Sequence, residues 1–67
     1  MDPKILGKKI KLSRLEADMT QTQLAEAIGS NQKNISKYEN GISFPPIEVL
    51  VKMTKTLNKS YGYFLDE

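Results

Sequence analysis

Four polar side chains in the middle of the chain are of the types that recognise nucleic-acid bases. The four are Gln32, Lys33, Ser36 and Lys37. Glutamine pairs with adenine, lysine donates to guanine O6 and N7, and serine bonds to either base. The apolar residues Ile35 and Tyr38 predict a helix that carries these polar side chains on its opposite side. A helix face that is merely solvated would also be polar, so the neighbouring sequence decides between the two interpretations.

The segment 20–40 predicts two helices joined by a tight turn. A small residue, Ala25, stands where two steeply crossing helices would touch. Gly29 follows four positions later, where the turn requires a positive φ. Thr20 and Gln23 have the T-x-x-Q spacing of a capping box, which begins a helix. Apolar residues at helical spacing would point inward from both helices, namely Leu24, Ile28, Ile35 and Tyr38.

The remainder of the chain also has helical periodicity, so the predicted fold class is all-α. No stretch alternates apolar and polar residues for long enough to predict a strand. We expect residues 1–67 to form one compact domain of five helices. The expected helices cover about 3–17, about 20–28, the segment between the N-cap Asn31 and the stop at Asn40-Gly41, the segment from Pro45-Pro46 to Leu57, and a short segment after Ser60. Outside the segment 20–40, the side chains expected to point inward are Leu6, Ile10, Ala17, Ile47, Leu50, Met53, Leu57, Tyr61, Phe64 and Leu65.

These residues resemble the Cro/C1-type (XRE-like) helix-turn-helix family of phage and bacterial regulators, whose domain is lambda-repressor-like. The resemblance is carried by Thr20-Gln21-x-x-Leu24-Ala25-x-x-Ile28-Gly29, by Ile35-Ser36-x-Tyr38-Glu39-x-Gly41, by Pro45, Leu50 and Leu57, and by Gly7, Ile10 and Arg14 ahead of them. Asp18 and Asn58 depart from it, because the family often has glycine there, and so does Thr54, where alanine is common. The resemblance implies that the third helix lies in the major groove of double-stranded DNA.

The resemblance also implies roles for residues outside the third helix. Gln21 is expected to contact a phosphate at the start of helix two, where free N–H groups suit an anion, and to brace Gln32. The further phosphate contacts expected are those of Asn31, Asn40, Gly41 and Lys11. Arg14 and Glu39 are expected to form a buried or half-buried structural ion pair between the first and third helices.

Composition argues against several other classes of protein. The chain has 67 residues and a net charge of +2, with neither histidine nor cysteine. The usual general base, the usual metal ligand and disulfides are therefore all missing, and we expect no enzyme, no metal and no cofactor. No apolar run approaches the roughly 20 residues of a membrane span, and the first residues, Met-Asp-Pro-Lys, lack the apolar stretch typical of a signal peptide. We expect a cytoplasmic protein with no membrane contact and no small-molecule ligand.

Two questions stay open on the sequence. The first is whether the domain regulates transcription, most simply as a repressor, or is a protein-interaction module such as an antitoxin subunit. A third-helix surface that is polar, basic and free of acids favours DNA. The second is assembly: we expect a homodimer on DNA with its contact at Tyr63, which the pattern leaves off the inward face of helix five. Among the other lysines, Lys4, Lys8 and Lys9 are expected to be solvated.

Overall fold

The computed structural model describes residues 2–66, which form five helices. They are α1 (Pro3–Glu16), α2 (Gln21–Ala27), α3 (Gln32–Glu39), α4 (Ile47–Leu57) and α5 (Tyr61–Leu65). The described residues contain no strand, and the all-α prediction is confirmed. No helix in this part of the chain is both long and apolar enough to cross a membrane.

Side chains cap four of the helices at their N-termini. Asp2 accepts the Lys4 N–H, and Asn31 accepts the Asn34 N–H at 2.9 Å. Ser60 caps α5 in the same way. The Thr20 capping box is complete, because Gln23 also accepts the Thr20 N–H. Each cap satisfies an amide that has no partner within its own helix, so these polar residues fix where the helices begin.

Four residues with positive φ end helices or turn the chain. Gly29 has φ +71° and Gly41 has φ +72°, a region in which glycine carries no steric penalty. Asp18 and Asn58 have φ +57° and +55°. These are the two positions at which the sequence departs from a family preference for glycine. Among residues other than glycine, aspartate and asparagine tolerate this conformation best, so the turns can form without glycine at these two positions.

The core lies between the five helices. Its buried hydrophobic residues are Leu6, Ile10, Leu24, Ala25, Ile28, Ile35, Tyr38, Leu50, Met53, Leu57 and Phe64. Four residues predicted to point inward are exposed instead, which corrects the predicted pattern: Ala17, Ile47, Tyr61 and Leu65. The reason is that they lie at or beyond helix ends. Ala17 is the C-cap of α1, Ile47 begins α4, and the five-residue α5 can turn one side, that of Phe64, into the core.

The N-terminal half of α1 packs directly against the end of α3. A Cβ atom at Gly7 would lie 2.5 Å from the carbonyl oxygens of both Tyr38 and Glu39. Real Cβ atoms do not approach backbone this closely, so this crossing requires a glycine. The contact sets the distance between α1 and α3.

A buried ion pair fixes the same two helices in orientation. Arg14 Nε lies 2.6 Å from Glu39 Oε2, and one terminal nitrogen of Arg14 donates to Oε1 at 3.1 Å. Both side chains are less than one tenth exposed. The remaining terminal nitrogen of Arg14 donates to the Met19 carbonyl at 2.7 Å, which holds the turn between α1 and α2. A planar guanidinium that meets a carboxylate in two bonds constrains direction as well as distance.

We expect Gly7→Ala to destabilise the domain by at least the roughly 1–3 kcal/mol typical of overpacking, because the new methyl group meets backbone that cannot move aside cheaply. Gly62→Ala is the matched control, since a Cβ there meets no atom closer than 3.6 Å. It should be neutral or slightly stabilising. Urea unfolding followed by circular dichroism measures both variants. A Gly7→Ala variant as stable as the wild type would contradict the close packing described here.

Candidate nucleic-acid interface

The outer side of α3 presents a polar and basic surface. Gln32, Lys33 and Lys37 are exposed and Ser36 is partly exposed. On the inner side, Ile35 is fully buried. The four side chains predicted to contact bases therefore share one surface of α3, which we call the α3 outer face.

The α3 outer face carries no exposed negative charge. The single acid within Gln32–Glu39 is Glu39, whose side chain is 2% exposed and is paired with Arg14. The charges that α3 offers to solvent are those of Lys33 and Lys37. An anionic partner would therefore meet attraction and no repulsion from this helix.

A chain of hydrogen bonds connects the buried ion pair to the first residue of α3. The Glu39 Oε1 atom accepts a bond from Gln21 Nε2 at 3.0 Å. The Gln21 Oε1 atom in turn accepts from Gln32 Nε2 at 2.6 Å. We call these three residues the Glu39–Gln21–Gln32 relay. It joins the inside of the domain to the exposed N-terminal end of the α3 outer face.

The direction of the relay follows from the chemistry of its members. The Glu39 carboxylate only accepts hydrogen bonds, so Gln21 must turn its amide nitrogen toward it. The Gln21 oxygen then faces Gln32, which must donate. Gln32 is left with one N–H donor and its carbonyl oxygen directed away from the relay. A donor and an acceptor side by side complement the N7 acceptor and N6 donor of adenine.

The residues predicted to contact phosphate flank the α3 outer face. Gln21 is the first residue of α2, and Asn31 is the N-cap of α3 with its side-chain oxygen committed to Asn34. Asn40 follows α3 and donates to the Ser36 hydroxyl at 3.3 Å. These three side chains lie at the two ends of α3.

Gly41 has its backbone N–H already engaged. This amide donates to the Tyr38 carbonyl at 3.2 Å and so helps to close the last turn of α3. The predicted phosphate contact of Gly41 therefore requires this amide to donate to the phosphate and to the Tyr38 carbonyl at the same time. The structure shows a second reason for glycine here: a Cβ would lie 2.7 Å from Lys4 Cγ.

Lysines of α1 surround a cleft next to Asn40. Lys4, Lys8 and Lys11 line this cleft of about 260 Å³ together with Glu39 and Asn40. The sequence predicts Lys11 as a phosphate contact, whereas it predicts Lys4 and Lys8 as ordinary solvated lysines. Their i, i+4, i+7 spacing is visible in the sequence, but the position of Asn40 against α1 is not.

Tyr63, which the residue pattern leaves off the inward face of helix five, packs within its own chain, and its predicted contact between copies stays a prediction. Tyr63 is half-buried and packs on the core, with its ring edge-on to Phe64 at 5.3 Å. The ammonium groups of Lys9 and Lys59 lie 5.7 and 4.8 Å from its ring centre. It therefore has partners within its own chain. The exposed apolar residues of α5 are Tyr61 and Leu65.

The chain is similar to several bacterial and phage proteins. The HTH-type transcriptional regulator ImmR of Bacillus subtilis is 35% identical over 60 residues, which cover 90% of this chain and 47% of that protein. The antitoxin PezA of Streptococcus pneumoniae is 35% identical over 57 residues, or 85% of this chain and 36% of that protein. The ImmF control region 10 kDa protein of Bacillus phage phi105 is 34% identical over 58 residues, or 87% of this chain and 64% of that protein.

The chain thus spans less than two thirds of the length of these three relatives. No solved structure is significantly similar to it. A family profile described as helix-turn-helix matches residues 10–64, which include the Arg14–Glu39 pair, the relay and all of α2, α3 and α4. The chain belongs to the Cro/C1-type helix-turn-helix family that its sequence resembles.

Proposed function

We propose that the chain binds double-stranded DNA sequence-specifically as a transcriptional regulator of the repressor type, with α3 in the major groove. The observation that carries this proposal is the Glu39–Gln21–Gln32 relay. It holds an exposed glutamine in one orientation at the end of an acid-free helix surface. Side chains held in advance lose less conformational entropy on binding, so this arrangement suits recognition of a base edge.

In this proposal, residues of the α3 outer face contact bases and the residues around it contact phosphates. Gln32 and Lys33 lie on the first turn of α3, where a recognition helix contacts base edges. Ser36 and Lys37 lie one turn further along and reach bases or the neighbouring phosphates. Gln21, Asn31, Asn40 and Lys11 hold the phosphates on both sides, which positions α3 without selecting a sequence.

An interaction module is the second candidate, because PezA is named an antitoxin. A surface that docks onto another protein is depleted of lysine and enriched in aromatic residues at its centre. The α3 outer face has the opposite composition. The surface of this chain that suits a protein partner better is α5, with its exposed Tyr61 and Leu65.

We further propose that two copies bind DNA together as a two-fold symmetric homodimer. One recognition helix contacts only a few base pairs, which is too little to distinguish an operator from the other sites of a genome. Two symmetric copies double the number of contacts and require a roughly palindromic site. The α5 surface is the proposed contact between copies, with Tyr61 and Leu65 at its centre and the half-buried Tyr63 at its edge.

Variants of the first turn of α3 test the proposed function. On a duplex selected from a random pool, Gln32→Ala and Lys33→Ala should each weaken binding by roughly 1–3 kcal/mol and relax the base preference at one or two positions. Lys11→Ala should weaken binding to all sequences alike. Lys55→Ala, an exposed lysine on α4, is the control and should bind as the wild type does. Full affinity and selectivity in both α3 variants would refute the placement of α3.

The homodimer is tested by the stoichiometry of the complex. Analytical ultracentrifugation on a selected site should give two chains per duplex, and the two half-sites in the selected sequence should have centres about 34–36 Å apart. Joint replacement of Tyr61 and Leu65 by Ala should weaken binding of the second copy, because it removes the exposed apolar area of α5. Phe44→Ala, at a similarly exposed aromatic residue in the loop between α3 and α4, should keep the two-to-one complex. A saturated complex of one chain on a non-palindromic site would refute the dimer.

A further inference from the structure

The structure divides the lysines of α1 into one that contacts α5 and three that are exposed to solvent, a difference that is not evident in the sequence. Lys9 turns toward α5, where its ammonium group contacts the Asp66 carbonyl and the Tyr63 ring. Lys4, Lys8 and Lys11 lie on another side of α1 and all three are exposed. Lys9 therefore serves the packing of α5, whereas the other three have no such role within the described chain.

The three exposed lysines form a straight row. At 1.5 Å of rise per residue, the row from Lys4 to Lys11 is about 10 Å long, comparable with about three nucleotides of one strand measured along a duplex axis. No acid among residues 2–66 forms an ion pair with a member of this row. Glu39, the one acid that lines the same cleft, is buried and shared between Arg14 and Gln21.

The row continues the α3 outer face rather than standing apart from it. Asn40 lines the cleft together with the lysines, and the Asn40 amide is bonded to Ser36 on α3. The distance between the row and α3 is fixed, because Gly7 brings α1 against the carbonyls at the end of α3. A strand that passed Asn40 at the end of α3 would therefore lie next to the three lysines.

We propose that Lys4 and Lys8 extend the phosphate contacts of Lys11 and Asn40 into a track that holds the DNA strand beyond the C-terminal end of α3. This inference rests on the proposed function. The track provides affinity without sequence preference, since ammonium groups contact phosphates equally in any sequence. It compensates for the loop between α3 and α4, whose residues Gly41, Ile42, Ser43 and Phe44 include no lysine or arginine.

The salt dependence of binding tests the track. In the double variant Lys4→Gln, Lys8→Gln, the slope of log affinity against log salt should become shallower by about 0.9 for each phosphate that the protein no longer neutralises. Glutamine keeps the Cβ and Cγ methylene groups of Lys4, and Cγ is the side-chain atom of Lys4 that lies against Gly41. The affinity for the selected duplex and for a random duplex should fall by the same factor, with base preference unchanged. The double variant Lys4→Arg, Lys8→Arg keeps both charges and should retain the wild-type slope.

The matched control is Lys52→Gln, Lys55→Gln, which removes the same charge from two exposed positions on α4 and should leave the slope as in the wild type. Circular dichroism melting checks that each variant is folded. Equal slopes for the α1 and α4 glutamine variants would overturn the track while the proposed function stands. A wild-type domain that is folded but binds no duplex at low salt would overturn the proposed function and the track together.

Discussion

The rest of the structure depends on one buried carboxylate, that of Glu39. It is the last residue of α3, and it accepts bonds from Arg14 of α1 and Gln21 of α2. A charge removed from water in this way is tolerated because a guanidinium and an amide satisfy it. The same carboxylate therefore joins three helices and keeps the only acid of α3 away from the surface. Gly7 complements it, since the absence of a side chain there lets α1 approach closely enough for the pair to form.

The orientation of the side chains at the proposed DNA interface depends on the buried Glu39 carboxylate. Because Glu39 only accepts, the amides of Gln21 and Gln32 have fixed directions, and Gln32 offers a donor and an acceptor to solvent. The orientation of Gln32, a proposed base contact, thus depends through Gln21 on the buried Arg14–Glu39 pair. The packing of α1 against α3 also places Lys4, Lys8 and Lys11 beside Asn40. The scaffold therefore determines both the proposed base contacts and the proposed phosphate track.

The sequence predicts those features that local rules control. Capping residues, the turn at Gly29 and the helical spacing of apolar residues depend on near neighbours, so the five predicted helices agree with the structure to within a residue or two at most ends. Features that depend on helix ends or on packing are predicted less well. Periodicity alone places Tyr61 and Leu65 inside and Tyr63 outside, but α5 has too few turns to bury more than Phe64 and the edge of Tyr63. Lys9 differs from the other lysines of α1 because it contacts α5. The position of α5 against α1 cannot be predicted from the spacing of residues along the chain.

A double-mutant cycle between Arg14 and Glu39 tests the central role of this carboxylate most directly. Replacing either residue by Met keeps helix propensity but leaves the other charge buried and without its opposite charge, which costs about 3–5 kcal/mol. The double variant removes both charges. Urea unfolding of the wild type, the two single variants and the double variant gives the four free energies. The account predicts that the double variant loses clearly less stability than the sum of the single losses. Losses that simply add would show that the two charges do not depend on each other, and would contradict it.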